Sequence, residues 1–397
     1  MLKPILKMRY TLPIYMSLLS AVITISVGVK LIHQAYSNFK QANNDQHQNI
    51  LELTETIKTT GEKIIALEMV DQHVVNQKLK KDITETHKVF KNTVTAYEKM
   101  VDAKIVTKNQ TLEKDFAQTL TYLGDLNYAS AEAKLAKITK EIDGALAAAQ
   151  VTKGIDIASL TSSQAPPGSG YQRQKVSVDG SEFVVDIVSG DLGSTKVVVD
   201  TAANETCGND CPVLSLGEYA ARNGAWAAIN GSYFCPATYP SCVGKTNSFD
   251  LLVMNKNKVY FNSDNNTYST NPAVIFQGGS VRFIGRASEW GRDTGIDSML
   301  SNYPLLVMNK AVQFGGNDDS KMSSSGNRSF VANIGNTVYI GVIRGVSVLG
   351  AAKVMQAMGM ENAINLDSGG STALWVNGAY KAGPGRNIPN AILFLRK

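Results

Sequence analysis

The stretch Asn362–Gly378, "NAINLDSGGSTALWVNG", places one carboxylate, Asp367, and two adjacent glycines between two apolar runs. A plain hairpin needs only a two-residue turn such as Asn-Gly, and that device stands a few residues later at Asn377-Gly378. The Asp367 segment is longer and more polar than a turn requires. Its glycines, Gly369 and Gly370, leave backbone amides open to a ligand, and Ser371 and Thr372 add hydroxyls. A second segment has the same grammar: "AAINGSYF" ends an apolar run and continues directly into Asn230 and Gly231. Arg328 in "SGNRSF" and Arg386 in "GPGRNIPN" each precede an apolar run. Arginine suits two-pronged binding of phosphate or carboxylate. One carboxylate, two arginines and two glycine loops could bind an anionic ester and attack it. Each feature alone also reads as a turn or a solvated charge.

The four histidines, His33, His47, His73 and His87, lie in the first quarter of the 397 residues. Beyond them, Ser-His-Asp and Cys-His catalysis and His-ligated metal are excluded. "GGST" is not a nucleotide P-loop, because it lacks the Gly-Lys-Ser/Thr ending. No metal site is assigned. A divalent cation near Asp318-Asp319 stays open as an alternative to a solvated acidic pair. A net charge of +5 is small for this length, and no dense basic run stands beside aromatics, so nucleic acid is not an expected partner.

The elements that must carry these residues follow from the pattern. Residues 10–29 hold no charge, a length that suits a membrane-spanning helix, and Lys3, Lys7 and Arg9 precede them. This predicts a cytoplasmic tail over 1–9, an anchor over 10–32, contact with the lipid bilayer through it, and an extracytoplasmic remainder. A cleaved signal peptide would have a shorter apolar core, and no clear A-x-A site follows. Over 38–150 the sequence reads as an all-α stalk, a helical hairpin or coiled coil. Ile50, Leu53, Ile57, Thr60, Ile64 and Leu67 step by three and four, a seam that could also pair two copies of the chain. The seam continues through Ile83, Phe90, Val94, Tyr97 and Val101, "VTKNQTLEKD" interrupts it, and a further helix ends near Ala145–Ala149. A ligand-sensing bundle is the sharper alternative to a spacer. Residues 151–172, with "SSQAPPGSG", read as a flexible linker.

From 173 to 397 the period becomes two. "KVSVDGSEFVVDIV" is a hairpin about Asp179-Gly180, and "AVIFQGGSVRFI", "PLLVMNKAVQF" and "RSFVANIGNTVYIGVI" are others. "LSLGEYAARNG" is a short helix capped by Ser215 and stopped by Gly224, and "VSVLGAAKVMQAMG" an amphipathic one capped by Ser347. Many strands with two helices between them predict an α+β domain on a large mixed or antiparallel sheet. Cys207, Cys211, Cys235 and Cys242 fall in one short stretch. An even count in an exported domain favours two disulfides over zinc; of three connectivities, the local pairing 207–211 and 235–242 is expected.

Four segments in order, "AAINGSYF", "NRSFVANIG", "NAINLDSGGSTALWVNG" and "GRNIPNAILF", make residues ~175–397 resemble the phosphodiester glycosidase family, whose best-known member removes N-acetylglucosamine from a phosphodiester. Bacterial relatives are described as exopolysaccharide-associated. Ser368 stands where the family's Asp-Gly-Gly-Gly-Ser run has its first glycine. The resemblance implies a hydrolase of a sugar-1-phosphodiester in a surface or cell-wall glycopolymer, with catalytic Asp367, Arg328 and Asn230. Gly231, Gly369, Gly370, Ser371, Thr372 and Arg386 would bind substrate. In these roles Asp367 is base or nucleophile, Arg328 and Arg386 clamp phosphate, and Asn230 orients a sugar hydroxyl. A non-catalytic module that binds or helps assemble such polymers is the alternative.

Overall fold

A computed structural model describes residues 11–70, 72–104, 110–152, 159–317 and 319–397. Seven helices occur among them: α1 Thr11–Val70, α2 Gln72–Lys104, α3 Gln110–Gly124, α4 Tyr128–Thr152, α5 Leu216–Asn223, α6 Ser320–Ser323 and α7 Val348–Ala357. The expected cytoplasmic tail at 1–9, and part of the interruption expected after Val101, lie outside the described residues. The chain divides into two compact units at Thr84/Glu85.

The first unit is dominated by α1, which is long and apolar enough at its start to cross a membrane. Its stepped seam, Ile50, Leu53, Ile57, Ile64 and Leu67, faces solvent. A single helix cannot bury such a stripe against itself.

In the second unit, α3 and α4 pack on the C-terminal part of α2 around Val89, Ala96, Leu123, Ala131 and Leu135, with Met100, Leu112, Ile138 and Ile142 beneath. The structure corrects the expected seam on α2. Phe90 and Val94 are exposed, while Val89, Thr93, Ala96 and Met100 are buried. Both sets step by three and four, so the sequence pattern does not choose between them; packing against α3 and α4 does.

The remainder is α+β. Seven strands form one sheet in the order Gly170–Val178, Ser181–Asp191, Thr337–Val346, Gly326–Ile334, Asn362–Asn365, Leu305–Met308, Ala311–Val312. Five form a second: Ala379–Ala382, Leu374–Val376, Ala227–Asn230, Asn390–Arg396, Thr195–Thr201. Tyr260–Phe261, Val253–Met254, Ser298–Ser301, Ala273–Gln277 and Ser280–Ile284 form the third. Every strand pair among the described residues is antiparallel; short turns join hairpins such as Gly170–Val178 with Ser181–Asp191 and Gly326–Ile334 with Thr337–Val346, and longer connections join the other pairs. The three sheets meet in one core that takes Val188, Ile340 and Ile364 from the first, Ile229, Ile392 and Phe394 from the second, and Val253, Val274 and Leu300 from the third. Fully burying each such side chain contributes about 1.5–3 kcal/mol. Helix α7 covers the outer face of the first sheet through Val348, Ala352 and Met355, and α5 the second through Leu216 and Tyr219.

The predicted stops are present. Ser215 and Glu218 form a reciprocal capping box on α5, Gly224 closes it with φ +62°, and the Ser347 side chain caps α7. Each cap of this kind contributes about 1 kcal/mol. The stretch read as a linker lies along the first strand from Thr161: Ser163 N–H donates to Lys175 O at 3.0 Å, and Gln174 Nε2 donates to Ser163 O at 2.8 Å.

Candidate active site

The strand Ala227–Asn230 and the strand Asn362–Asn365 belong to different sheets, and their ends meet. Asp367 N–H donates to Gly231 O at 3.0 Å, and Asn230 Nδ2 donates to Asp367 O at 2.6 Å. Asn230 Oδ1 accepts from Ser329 Oγ at 2.8 Å and from Ala373 N at 3.1 Å. The Asn230 side chain is fully buried. Its amide is committed to holding the Asp367 loop, so Asn230 and Gly231 lie beneath the cavity that Asp367 lines, not on its surface. This corrects the expectation that Asn230 reaches a sugar hydroxyl. Gly231 is glycine because a Cβ there would collide with Asn390 Oδ1 and sit 2.8 Å from Asn390 O.

The cavity has a volume of about 730 Å³. Asp367, Gly369, Gly370, Ser371, Thr372, Arg328 and Arg386 line it together, although they come from positions nearly sixty residues apart. Burial pushes the Asp367 carboxyl up to about 6. A hydrogen bond from Ser371, the charge of Arg386 and the Ser368 N–H, at 2.9 Å, partly oppose that rise. Ser368 has φ −142°, extended backbone that any residue adopts, so glycine is not required there. Its hydroxyl accepts from Ser329 N–H at 3.3 Å and donates to Leu366 O at 3.1 Å, adding a tie between the loop and the next strand. Gly369 has φ +64°, a backbone region costly for other residues.

The two arginines differ. Arg386 pairs with Asp102, and its guanidinium stacks on Tyr239, 4.9 Å from the ring centre. Arg328 is buried, with Nε donating to Val346 O at 3.1 Å and Nη2 to Lys321 O and Ser324 O at 2.8 and 2.6 Å. Most of its fork is therefore held by backbone carbonyls, and no described carboxylate hydrogen-bonds to it.

Several lining residues were not singled out from the sequence. Seven basic and four acidic side chains among the described residues line the cavity, an excess of positive charge suited to an anionic ligand. Arg173 and Arg344 are oriented by one fully buried carboxylate, Asp186, at 2.6 and 2.7 Å. Lys99, Asp102 and Asp143 come from α2 and α4. Tyr239 belongs to the loop closed by the Cys235–Cys242 disulfide; Cys207–Cys211 is the other bridge, and both are the expected pairs. The arginine pair could have been sought from Asp186, an acid inside the apolar run Phe183–Val188; nothing in the sequence marks the helical residues. Among the described residues no group of three or more His, Cys, Asp or Glu could hold a metal ion. Asp318 lies outside them, while Asp319 lines the cavity.

Residues 223–395 match the family model described as NAGPA, phosphodiester glycosidase, and the resemblance read from the four motifs holds for this C-terminal region. No curated protein matches the chain. Among solved structures, a hypothetical protein from Synechocystis is similar at 14% identity and TM-score 0.40, covering 57% of this chain and 62% of that one. The catalytic domain of zebrafish N-acetylglucosamine-1-phosphodiester alpha-N-acetylglucosaminidase, auto-inhibited by pro-peptide, is similar at 14% identity and TM-score 0.46, covering 59% of this chain and 86% of that one. The chain thus spans less than two thirds of the first of these structures.

Proposed function

We propose that this chain, whose C-terminal region matches the phosphodiester glycosidases, hydrolyses a glycosyl phosphodiester at the bond between C1 of the sugar and the phosphate oxygen. The observation that carries the reading is Asp367: a carboxylate raised to about 6 by burial, at the floor of a cavity whose other charges are mostly positive. In such an ester the leaving group is a phosphate monoester, a far weaker base than an alkoxide. It needs charge stabilisation more than a proton. Arg386 and Arg328 supply positive charge on the phosphate side. Asp367 works on the sugar side, as base toward water or as nucleophile at C1. Gly369, Gly370, Ser371 and Thr372 shape the floor and offer amides and hydroxyls to the substrate. Asn230 acts indirectly, by fixing the Asp367 loop.

The apolar start of α1, with Lys3, Lys7 and Arg9 before it, supports a single membrane span with a cytoplasmic N-terminus. Two disulfides are in keeping with an exported domain. The substrate in this reading is a surface or cell-wall glycopolymer, and the exposed seam over Ile50–Leu67 is offered to a second copy of the chain. The test uses the full chain in detergent with the methyl phosphodiester of N-acetylglucosamine 1-phosphate and related sugars. Phosphorus NMR should show the diester resonance giving way to a phosphate monoester, and proton NMR of the fresh sugar should tell inversion from retention. Tight binding of every diester tested, with no turnover, would replace the hydrolase by a glycopolymer-binding module.

A further inference from the structure

Lys99 stands on α2, in the region read from sequence as a spacer, yet it lines the cavity. Its Nζ is buried and makes no hydrogen bond among the described residues. The ion partner, Asp143 on α4, is 3.8 Å away, beyond hydrogen-bond reach. An ammonium carries three donors, and a buried charge that leaves all of them unused is costly. Burial lowers its pKa most; Asp143 and Asp319 attract the charged form, while Arg328 and Lys321 repel it, and the net direction is down. Arg328 is itself a buried cation held only by carbonyls. Two cations therefore border one cavity with no described carboxylate hydrogen-bonded to either.

The position of Lys99 is fixed from both sides in sequence. Glu98, almost fully buried, accepts Lys321 Nζ at 2.6 Å and also the Ser241 hydroxyl. Asp102 accepts the Tyr239 hydroxyl at 2.7 Å and pairs with Arg386. These anchors lie on one side of α2, one turn apart, with Lys99 between them. A helix that served only as a spacer would not need two acidic side chains bonded to Lys321, Ser241, Tyr239 and Arg386; of the two, Asp102 lines the cavity itself.

We propose that α2 forms one wall of the substrate site and that Lys99, with Arg328, binds a non-bridging phosphate oxygen of the substrate. This rests on the glycosyl phosphodiester reading. An entering phosphate would give the Lys99 ammonium its missing acceptors and place negative charge between two cations that repel each other. The helical region is then part of the enzyme's binding apparatus, and the C-terminal domain without it has an incomplete site.

The test compares the full chain with Lys99→Met and Lys99→Arg. Methionine fills the same space without charge. With the methyl phosphodiester, Lys99→Met should raise KM about tenfold or more, the scale of a charge-assisted hydrogen bond, with kcat changed far less. Lys99→Arg should recover part of the affinity. Calorimetric titration with inorganic phosphate should show binding to the wild type that weakens in parallel in Lys99→Met. The melting temperature of Lys99→Met sets removal of a buried charge with unmet donors against loss of the ion partner of Asp143, so KM and phosphate affinity decide the role. A lowered melting temperature with unchanged KM and phosphate affinity would make Lys99 a structural residue and overturn the proposal. Absent turnover in the wild type would fail the hydrolase reading alone. The phosphate titration would still decide: binding that depends on Lys99 upholds its role, and equal binding in both proteins, or none in the wild type, overturns it.

Discussion

Replacing Asp367 by asparagine separates catalysis from folding in opposite directions. Asparagine keeps the shape and the Oδ1 that accepts from Ser368 N–H at 2.9 Å, but it cannot ionise. In the folded chain burial raises this carboxyl from the ordinary 3.8 to about 6. For an acid whose folded pKa is raised, the protonated form is favoured by the fold. Its contribution is fully present below about pH 4 and is lost as pH rises through about 6. Above that pH the wild type bears the cost of an ionised, half-buried carboxylate. The shift is about two units, or up to about 3 kcal/mol at pH 7. Asp367→Asn should thus be more stable than the wild type at pH 7, by a few degrees in melting temperature. The two should converge near pH 4. All three tryptophans, Trp226, Trp290 and Trp375, lie in the domain that holds the site, so their fluorescence follows its unfolding without signal from α1. Turnover should fall by about two to four orders of magnitude, the scale of general acid–base catalysis. The wild-type kcat/KM should rise with pH through about 6, because base and nucleophile both require the ionised form. A variant that keeps more than about a tenth of wild-type turnover, or that melts lower at pH 7, would refute the reasoning; the first would move the chemistry to another carboxylate.

Asn230→Ala removes three hydrogen bonds beneath the Asp367 loop and leaves buried groups unpaired, so it should lower stability by about 2–5 kcal/mol and reduce kcat more than it raises KM; intact kcat in a stably folded variant, read by the phosphorus NMR assay, would deny Asn230 a positioning role. Gly370→Ala places a Cβ against Arg386 Nη2 and 2.8 Å from Asp102 Oδ1, in otherwise unstrained backbone. It should displace the arginine and raise KM about tenfold, with melting temperature nearly unchanged; unaltered KM would show that Arg386 does not contact substrate.

Local chemistry made much of the fold legible. Asp179-Gly180 and Asn377-Gly378 both adopt the positive φ that their hairpins require, and Ser215 and Gly224 bracket α5 where the sequence places them. The apolar strands were legible as short β-branched and aromatic runs bounded by turn residues, although most are buried on both faces and do not alternate. The face of α2 was not, since Phe90 and Val94 fit the same stepping as the buried Val89 and Thr93. Only the docking of α3 and α4 distinguishes them. The site divides in the same way. Asp367 and its glycines are adjacent in sequence and could be read together. Asp102 meets Arg386 across 284 positions, and Asn230 turns inward because Ser329 and Ala373 claim its oxygen. A role that depends on which neighbour takes a donor first has no signature in the residue itself.

The absence of histidine from residues 159–397 poses a definite physical problem. A group that exchanges its charge near neutrality must come from elsewhere, and an exposed aspartate titrates two units too low. Burial can lift it, but seven basic side chains around the same cavity should pull it back down. The pull is blunted because many of these cations are already engaged, among them Arg386, the one whose charge acts on Asp367. Arg386 is shared with Asp102, Lys321 with Glu98, and Arg173 and Arg344 with Asp186. Pairing consumes their fields close to Asp367 while leaving positive charge along the cavity wall for a substrate. In the proposed reaction, a phosphate settling beside Lys99 and Arg328 would add negative charge to the site and keep the Asp367 carboxylate basic when it acts. Because a departing phosphate monoester needs charge stabilisation more than a proton, a single carboxylate tuned in this manner would suffice for the acid–base part of the proposed hydrolysis.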